Sequence, residues 1–153
     1  MPFDANKIAD TIIALSLERG SEITNLKLQK LLYYAQAWNL AFTGKPLFIE
    51  SVEAWVHGPV VPTVFRRFRD YRWRTINSPV VPCEDDSVRK LAAAVLDAYG
   101  KFDATQLERL THHESPWREA RHGLDPDESS RAIIPHSAMR DYYGKRIATA
   151  DGG

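Results

Sequence analysis

Apolar residues in this chain recur mostly at helical intervals, and glycine, proline or acidic clusters separate the runs. Ile8, Ile12 and Leu15 repeat at three- and four-residue spacing behind Asp4, whose carboxylate suits an N-cap, and Gly20 offers a stop. A second helix is expected from Thr24 to about Phe42, closed by Gly44 and Pro46. On its wheel Leu28, Leu31, Leu32, Ala35, Trp38 and Phe42 share one face, while Leu26, Tyr33, Ala37 and Leu40 gather nearly opposite. Two apolar faces describe a central helix packed on both sides, or a helix that keeps one face for a partner.

The pattern changes between Pro46 and Pro62. Leu47-Phe48-Ile49 and Val52 to Val56 are rich in β-branched and aromatic residues, and His57-Gly58-Pro59 punctuates them. One or two short extended segments and a tight turn are expected there. Pro62 suits the first turn of a third helix, with Val61, Val64, Phe65, Phe68 and Tyr71 inward. Asn77 to Cys83 is a connector. Asp85, Asp86 and Ser87 cap a fourth helix that turns Val88, Leu91, Ala92, Val95 and Tyr99 inward and closes at Gly100. Asp103 to Gln106 reads as a capping box for a short fifth helix through Leu110. Ser115-Pro116 opens another to about Arg121, and a last short helix holds Met139, Tyr142 and Tyr143. The expected fold is mainly α: a compact single-domain helical bundle with a minor short β element around residues 47–61. Residues 1–147 form the domain, and 148–153 form a flexible, frayed tail.

Composition narrows the class. The chain has 153 residues, 44% hydrophobic and 26% charged, which suits one globular domain and argues against disorder. Twenty basic residues balance twenty acidic ones, so the whole molecule lacks the net attraction of a dedicated nucleic-acid binder; a local patch stays open. Cys83 is a lone cysteine, unable to make an internal disulfide or a thiolate metal site, which fits a reducing cytoplasm. The first residues lack the basic and apolar regions of a signal peptide. The apolar run Leu31 to Phe42 is interrupted and far shorter than the roughly 20 residues a membrane span needs. No membrane association is expected.

Catalytic constellations are thin. His112 and His113 are adjacent and diverge on a helix, and His113-Glu114 lacks the second histidine of a zinc-protease helix. His113 reads as a satisfied or capping residue near a helix end. Cys83 lies among Glu84, Asp85 and Asp86, which disfavour a thiolate. There is no phosphate loop and no nucleophile elbow. No catalytic residue, metal or cofactor is expected. The strongest charged feature is Phe65 to Arg74, five arginines interleaved with aromatics. On a helix its aromatics turn inward, leaving Arg66, Arg67 and Arg69 outside. That face reads as a solvated surface, as a docking site for an acidic protein patch, or, third, as a nucleic-acid grip.

The block Ile23 to Gln36, containing Leu28-Gln29-Lys30-Leu31 and Tyr33-Tyr34, resembles the SocA-like, or Panacea, antitoxin domain family, also known from phage-associated proteins. The resemblance continues through Gly44 to Phe48 and Val52 to Pro62, including Trp55, Gly58 and Pro59. It resumes from Leu110 to Arg121, including His113, Pro116 and Trp117, and ends near Met139 to Tyr143; Ser78 to Lys101 carries little of it. It implies a protein that neutralises a cognate toxin by direct contact. Two alternatives are an adaptor that hands the toxin to an ATP-dependent protease and a nucleic-acid-binding autoregulator; nucleic acid is the less expected partner. Under this resemblance the motif residues identify a structural scaffold. The contact surface is expected beside them, on Arg66, Arg67 and Arg69 with Lys30 and Tyr33 of the second helix.

Overall fold

The computed structural model describes residues 2–152, with side chains through 148. Seven helices and one short hairpin follow one another: α1 (Ala5–Glu18), α2 (Asn25–Thr43), β1 (Glu53–Trp55), β2 (Gly58–Val60), α3 (Pro62–Arg67), α4 (Asp86–Tyr99), α5 (Ala104–His112), α6 (Ser115–Ala120) and α7 (His136–Gly152). A 3-10 turn, Arg69–Tyr71, extends α3. The expected mainly helical fold with a minor β element is the one found.

Side-chain caps set several helix starts where the sequence places them. Asp4 accepts from the Asn6 amide at 2.7 Å and opens α1. Thr24 accepts from the Lys27 amide at 3.2 Å and opens α2, which ends at Gly44 with φ +74°. Asp85 serves Ser87 and Val88, and Asp103 forms a complete capping box with Gln106. Each cap satisfies amides that a first helical turn leaves unpaired.

α2 is the axis of the bundle. It packs against α7, α4, α1 and α5 and against the hairpin, and every residue from Leu28 to Ala37 is buried. Both of its apolar faces are therefore used inside the fold. Its C-terminal end emerges: Phe42, expected to be buried, is 66% exposed and only stacks on Trp38 at 5.8 Å.

The hairpin pairs antiparallel, Glu53 with Val60 and Trp55 with Gly58. β1 is also tied to the segment before α7, because the Ala54 amide donates to Ala132 O and the Ile134 amide to Val52 O. The 47–61 region thus uses fewer strand residues than its composition suggests. α7 is longer than the short helix expected and runs on through residues 148–152, the segment expected to fray; Gly153 lies outside the described residues.

Candidate partner-binding surface

The motif residues turn inward and hold the elements together. Glu114 occupies the N-cap position of α6 but caps nothing with its side chain. Its buried carboxylate accepts instead from three phenols: Tyr33 and Tyr34 of α2, each at 2.9 Å, and Tyr143 of α7. One acid thereby links α2, α6 and α7. Burial pushes the Glu114 carboxyl upward, and the three phenolic bonds draw it part of the way back. The phenols of Tyr33, Tyr34 and Tyr143 are all raised, chiefly by desolvation and then by neighbouring negative charge. Tyr34 also stacks on Tyr99 at 3.8 Å, whose hydroxyl accepts from the Trp38 indole at 2.8 Å.

A second interior network fixes the hairpin. Gln29 accepts from the Val61 amide at 2.9 Å and donates to Asn25, which donates to Phe65 O. Lys30, 1% exposed, reaches under Gly58 toward Thr111, and burial lowers its pKa to about 8 against the opposing pull of Glu108. Trp117 donates its indole N–H to Trp55 O at 2.8 Å and lies between the His112 ring, stacked at 3.9 Å, and the Arg121 guanidinium at 4.6 Å. Arg121, 2% exposed, donates to Ala54 O, Asp125 O and Glu128 O, sewing the 125–128 loop to β1. His113, by contrast, is exposed, and His57 pairs with Glu108 at 2.7 Å near the surface. Among the described residues no three His, Cys, Asp or Glu side chains gather to hold a metal ion. Cys83 is buried in its connector, its amide donating to Thr11 at 2.8 Å.

These positions correct the expected contact surface. Lys30 and Tyr33 are interior groups, 1% and 0% exposed, and reach no partner from outside. The reason is that α2 spends both faces on the core, so polar atoms between them are desolvated too. Of the arginines, Arg67 is committed to the fold: it pairs with Asp10 of α1 at 2.8 Å, donates to Asn6 and covers the Phe68 ring. Arg66 and Arg69 are exposed and form no ion pair among the described residues. The backbone departs from α-helix at Phe68 (φ −107°, ψ 11°) and turns left-handed at Arg72 (φ 56°), so the basic segment is a broken turn rather than one long helix. Near its end Trp73 stands 77% exposed.

Phe65, expected inside, stands half-buried against Trp55 at 5.1 Å, the two rings edge to face. With Leu26, Val60, His57 and Arg131 they line an open trough of about 480 Å³. Sequence reasoning missed Glu114, Arg121 and this trough. Glu114 carries a signal, since it precedes a Ser-Pro helix start in the motif block yet is not the residue type that caps best. The trough carries none, because its walls come from segments far apart in the chain.

A family model described as Antitoxin SocA-like, Panacea domain, matches residues 28–118, more than half of the chain. The chain belongs to the SocA-like Panacea antitoxin family. Antitoxin SocA of Caulobacter vibrioides (strain NA1000 / CB15N) is 31% identical over 128 residues, covering 74% of this chain and 68% of that protein. No solved structure matches. The matched segment of this Panacea domain starts inside α2 and stops inside α6, yet several of its connections reach outside it. Tyr143 of α7 completes the Glu114 cluster, and Asp10 of α1 holds Arg67. Both flanking helices thus contribute side chains to its packing. Family membership assigns an antitoxin role and implies a toxin as partner.

Proposed function

We propose that this chain neutralises a cognate toxin by direct protein–protein binding, as a cytoplasmic binding module and not as an enzyme. The observation that carries this reading is where the unspent charge lies. Interior ionisable groups of the motif blocks, Glu114, Lys30 and Arg121, are enclosed by the fold, whereas Arg66 and Arg69 are exposed and have no ion-pair partner among the described residues. Arginine in that setting favours a protein interface, and an ordinary interface would cover roughly 800 Å² on each side.

Co-expression with the product of the adjacent gene tests the proposal. Growth arrested by that product alone should resume, the two proteins should co-purify, and the toxin's half-life should stay unchanged. A neighbour that is harmless by itself would sink the reading, and a toxin half-life shortened by this chain would replace it with adaptor-mediated degradation.

A further inference from the structure

We propose that the turn from Arg66 to Arg74 is the toxin-docking element, and that Trp73 is its anchor, entering an apolar recess of the toxin rimmed by carboxylates. This rests on the direct-binding reading and specifies its surface.

The turn holds an indole in the open on a fixed backbone. Its two ends are tied into the fold: the Phe68 ring is buried, and past Trp73 the Ile76 amide donates to Ile23 O at 2.9 Å. Between them the Arg72 amide donates to Arg69 O and the Arg74 amide to Tyr71 O, each at 3.0 Å. The Tyr71 hydroxyl donates to Asn77 at 3.1 Å. Arg72 sits at φ 56° and ψ −117°, a conformation that residues with a Cβ rarely hold, and Trp73 follows it directly. The Trp73 ring meets no other ring, and its N–H donates to nothing among the described residues. A large apolar side chain on a backbone already ordered gives up little freedom on docking, which is how interface anchors gain affinity.

The charge beside the indole sets the partner's chemistry. Arg72 and Arg74 flank Trp73 in the chain, and Arg66 and Arg69 lie in the same turn. The side chains of Arg66, Arg69 and Arg72 form no hydrogen bond, ion pair or ring contact among the described residues. Arg74 donates to the Tyr71 and Asp70 carbonyls, and Arg67 is held by Asp10. Sequence and hydrogen bonds place three carboxylates beside the segment: Asp70 within it, Asp10 on Arg67, and Glu22, which accepts from Thr75 at 2.6 Å. With all three counted as charged, the five guanidiniums still outnumber them, so the complement is acidic. A protein fits better than a polyanion. One exposed ring cannot stack successive bases, since Tyr71 is half-buried and bonded to Asn77, and a chain of zero net charge draws no nucleic acid from a distance. Nor has the indole a fully exposed apolar neighbour in the turn to enter a bilayer with it. Tryptophan and arginine are instead the residues that dominate protein hot spots.

The test is calorimetric affinity for the purified co-encoded toxin, with melting curves for every variant. Trp73→Ala should keep the wild-type melting temperature and weaken binding about 30-fold, the size of a hot spot. Arg69→Glu should weaken it about tenfold, more at low salt than at high. Arg72→Gly suits the backbone, so it should melt no lower than wild type yet bind about tenfold more weakly. Phe42→Ala, at an exposed ring on the far end of α2, should bind as wild type does. A loss below about fivefold in folded Trp73→Ala overturns the proposal, as does an equal loss in Phe42→Ala. Retention of an oligothymidylate or of phosphatidylglycerol vesicles that Trp73→Ala abolishes, with toxin affinity intact, overturns it in favour of that polyanion. A wild-type chain that ignores the toxin sinks the direct-binding reading itself.

Discussion

Lys30 and Gly58 share one space: a Cβ built on Gly58 would stand 3.0 Å from Lys30 Cε and 3.1 Å from Thr111 Oγ1. Gly58 also sits at φ +107°, a conformation that side chains with a Cβ resist. Gly58→Ala should therefore destabilise the chain by about 2–4 kcal/mol, from backbone strain and overpacking together. Chemical denaturation measures it, and a loss below about 1 kcal/mol would mean that the lysine can withdraw.

Lys30 makes stability depend on alkaline pH. Burial lowers its pKa from 10.5 to about 8, with Glu108 opposing. From about pH 8 to 10.5 the unfolded chain keeps a proton that the folded chain releases, so this group adds stability as pH rises across that window. Below pH 8 the buried ammonium costs roughly 3 kcal/mol, taken from the shift itself. Lys30→Met should lack this slope and be at least as stable as wild type at pH 7. The comparison is best made between pH 8 and 10, because the raised phenols of Tyr33, Tyr34 and Tyr143 give the opposite slope above their ordinary value of 10.

Glu114 acts at the other end of the scale. Its folded carboxyl titrates above the ordinary 4.5, so above pH 4.5 the folded chain holds the proton longer and this group's contribution declines as pH rises. Glu114→Gln should flatten that decline and still fold, since one carbonyl acceptor remains. Glu114→Ala leaves three buried hydroxyls without their acceptor and should cost about 3 kcal/mol or more, measured by urea unfolding at pH 7.

Arg66 and Arg67 are neighbours with different tasks. Arg67→Ala breaks the tie to Asp10 and should cost about 1 kcal/mol, with toxin binding little changed at temperatures where the variant is folded. Arg66→Ala should leave the melting temperature alone and weaken toxin binding. The reverse pattern would place the interface elsewhere.

Helix boundaries were legible in the sequence because caps are local. Asp4, Thr24, Asp85 and the Asp103–Gln106 box act within a few residues of themselves. The centrality of α2 was legible too, from its two apolar faces. What periodicity could not convey was the fate of the polar residues between those faces. Lys30 and Tyr33 look available on a helical wheel, yet are enclosed by a hairpin and by α7 that come tens of residues later. Phe65 differs in the opposite direction: its ring, inward on a helical wheel, is half-buried and meets Trp55 edge to face. The Arg121 bonds depend on where a distant loop comes to rest, and residue type alone does not specify that.

The two glutamines of α2 have a consequence for how such a domain can change over evolutionary time. Gln29 addresses the Val61 amide, while Gln36, about two helical turns further along, accepts from the Leu47 amide at 2.6 Å and donates to Phe48 O at 3.0 Å. Sliding α2 by a single residue would move both side chains by about 1.5 Å along the axis and 100° around it, stranding both ends of the Pro46-to-Pro62 segment at once. The helix therefore has one seat, keyed by hydrogen bonds, in place of the several that greasy packing alone would permit. Surface residues can then be exchanged without the central helix creeping out of register beneath them.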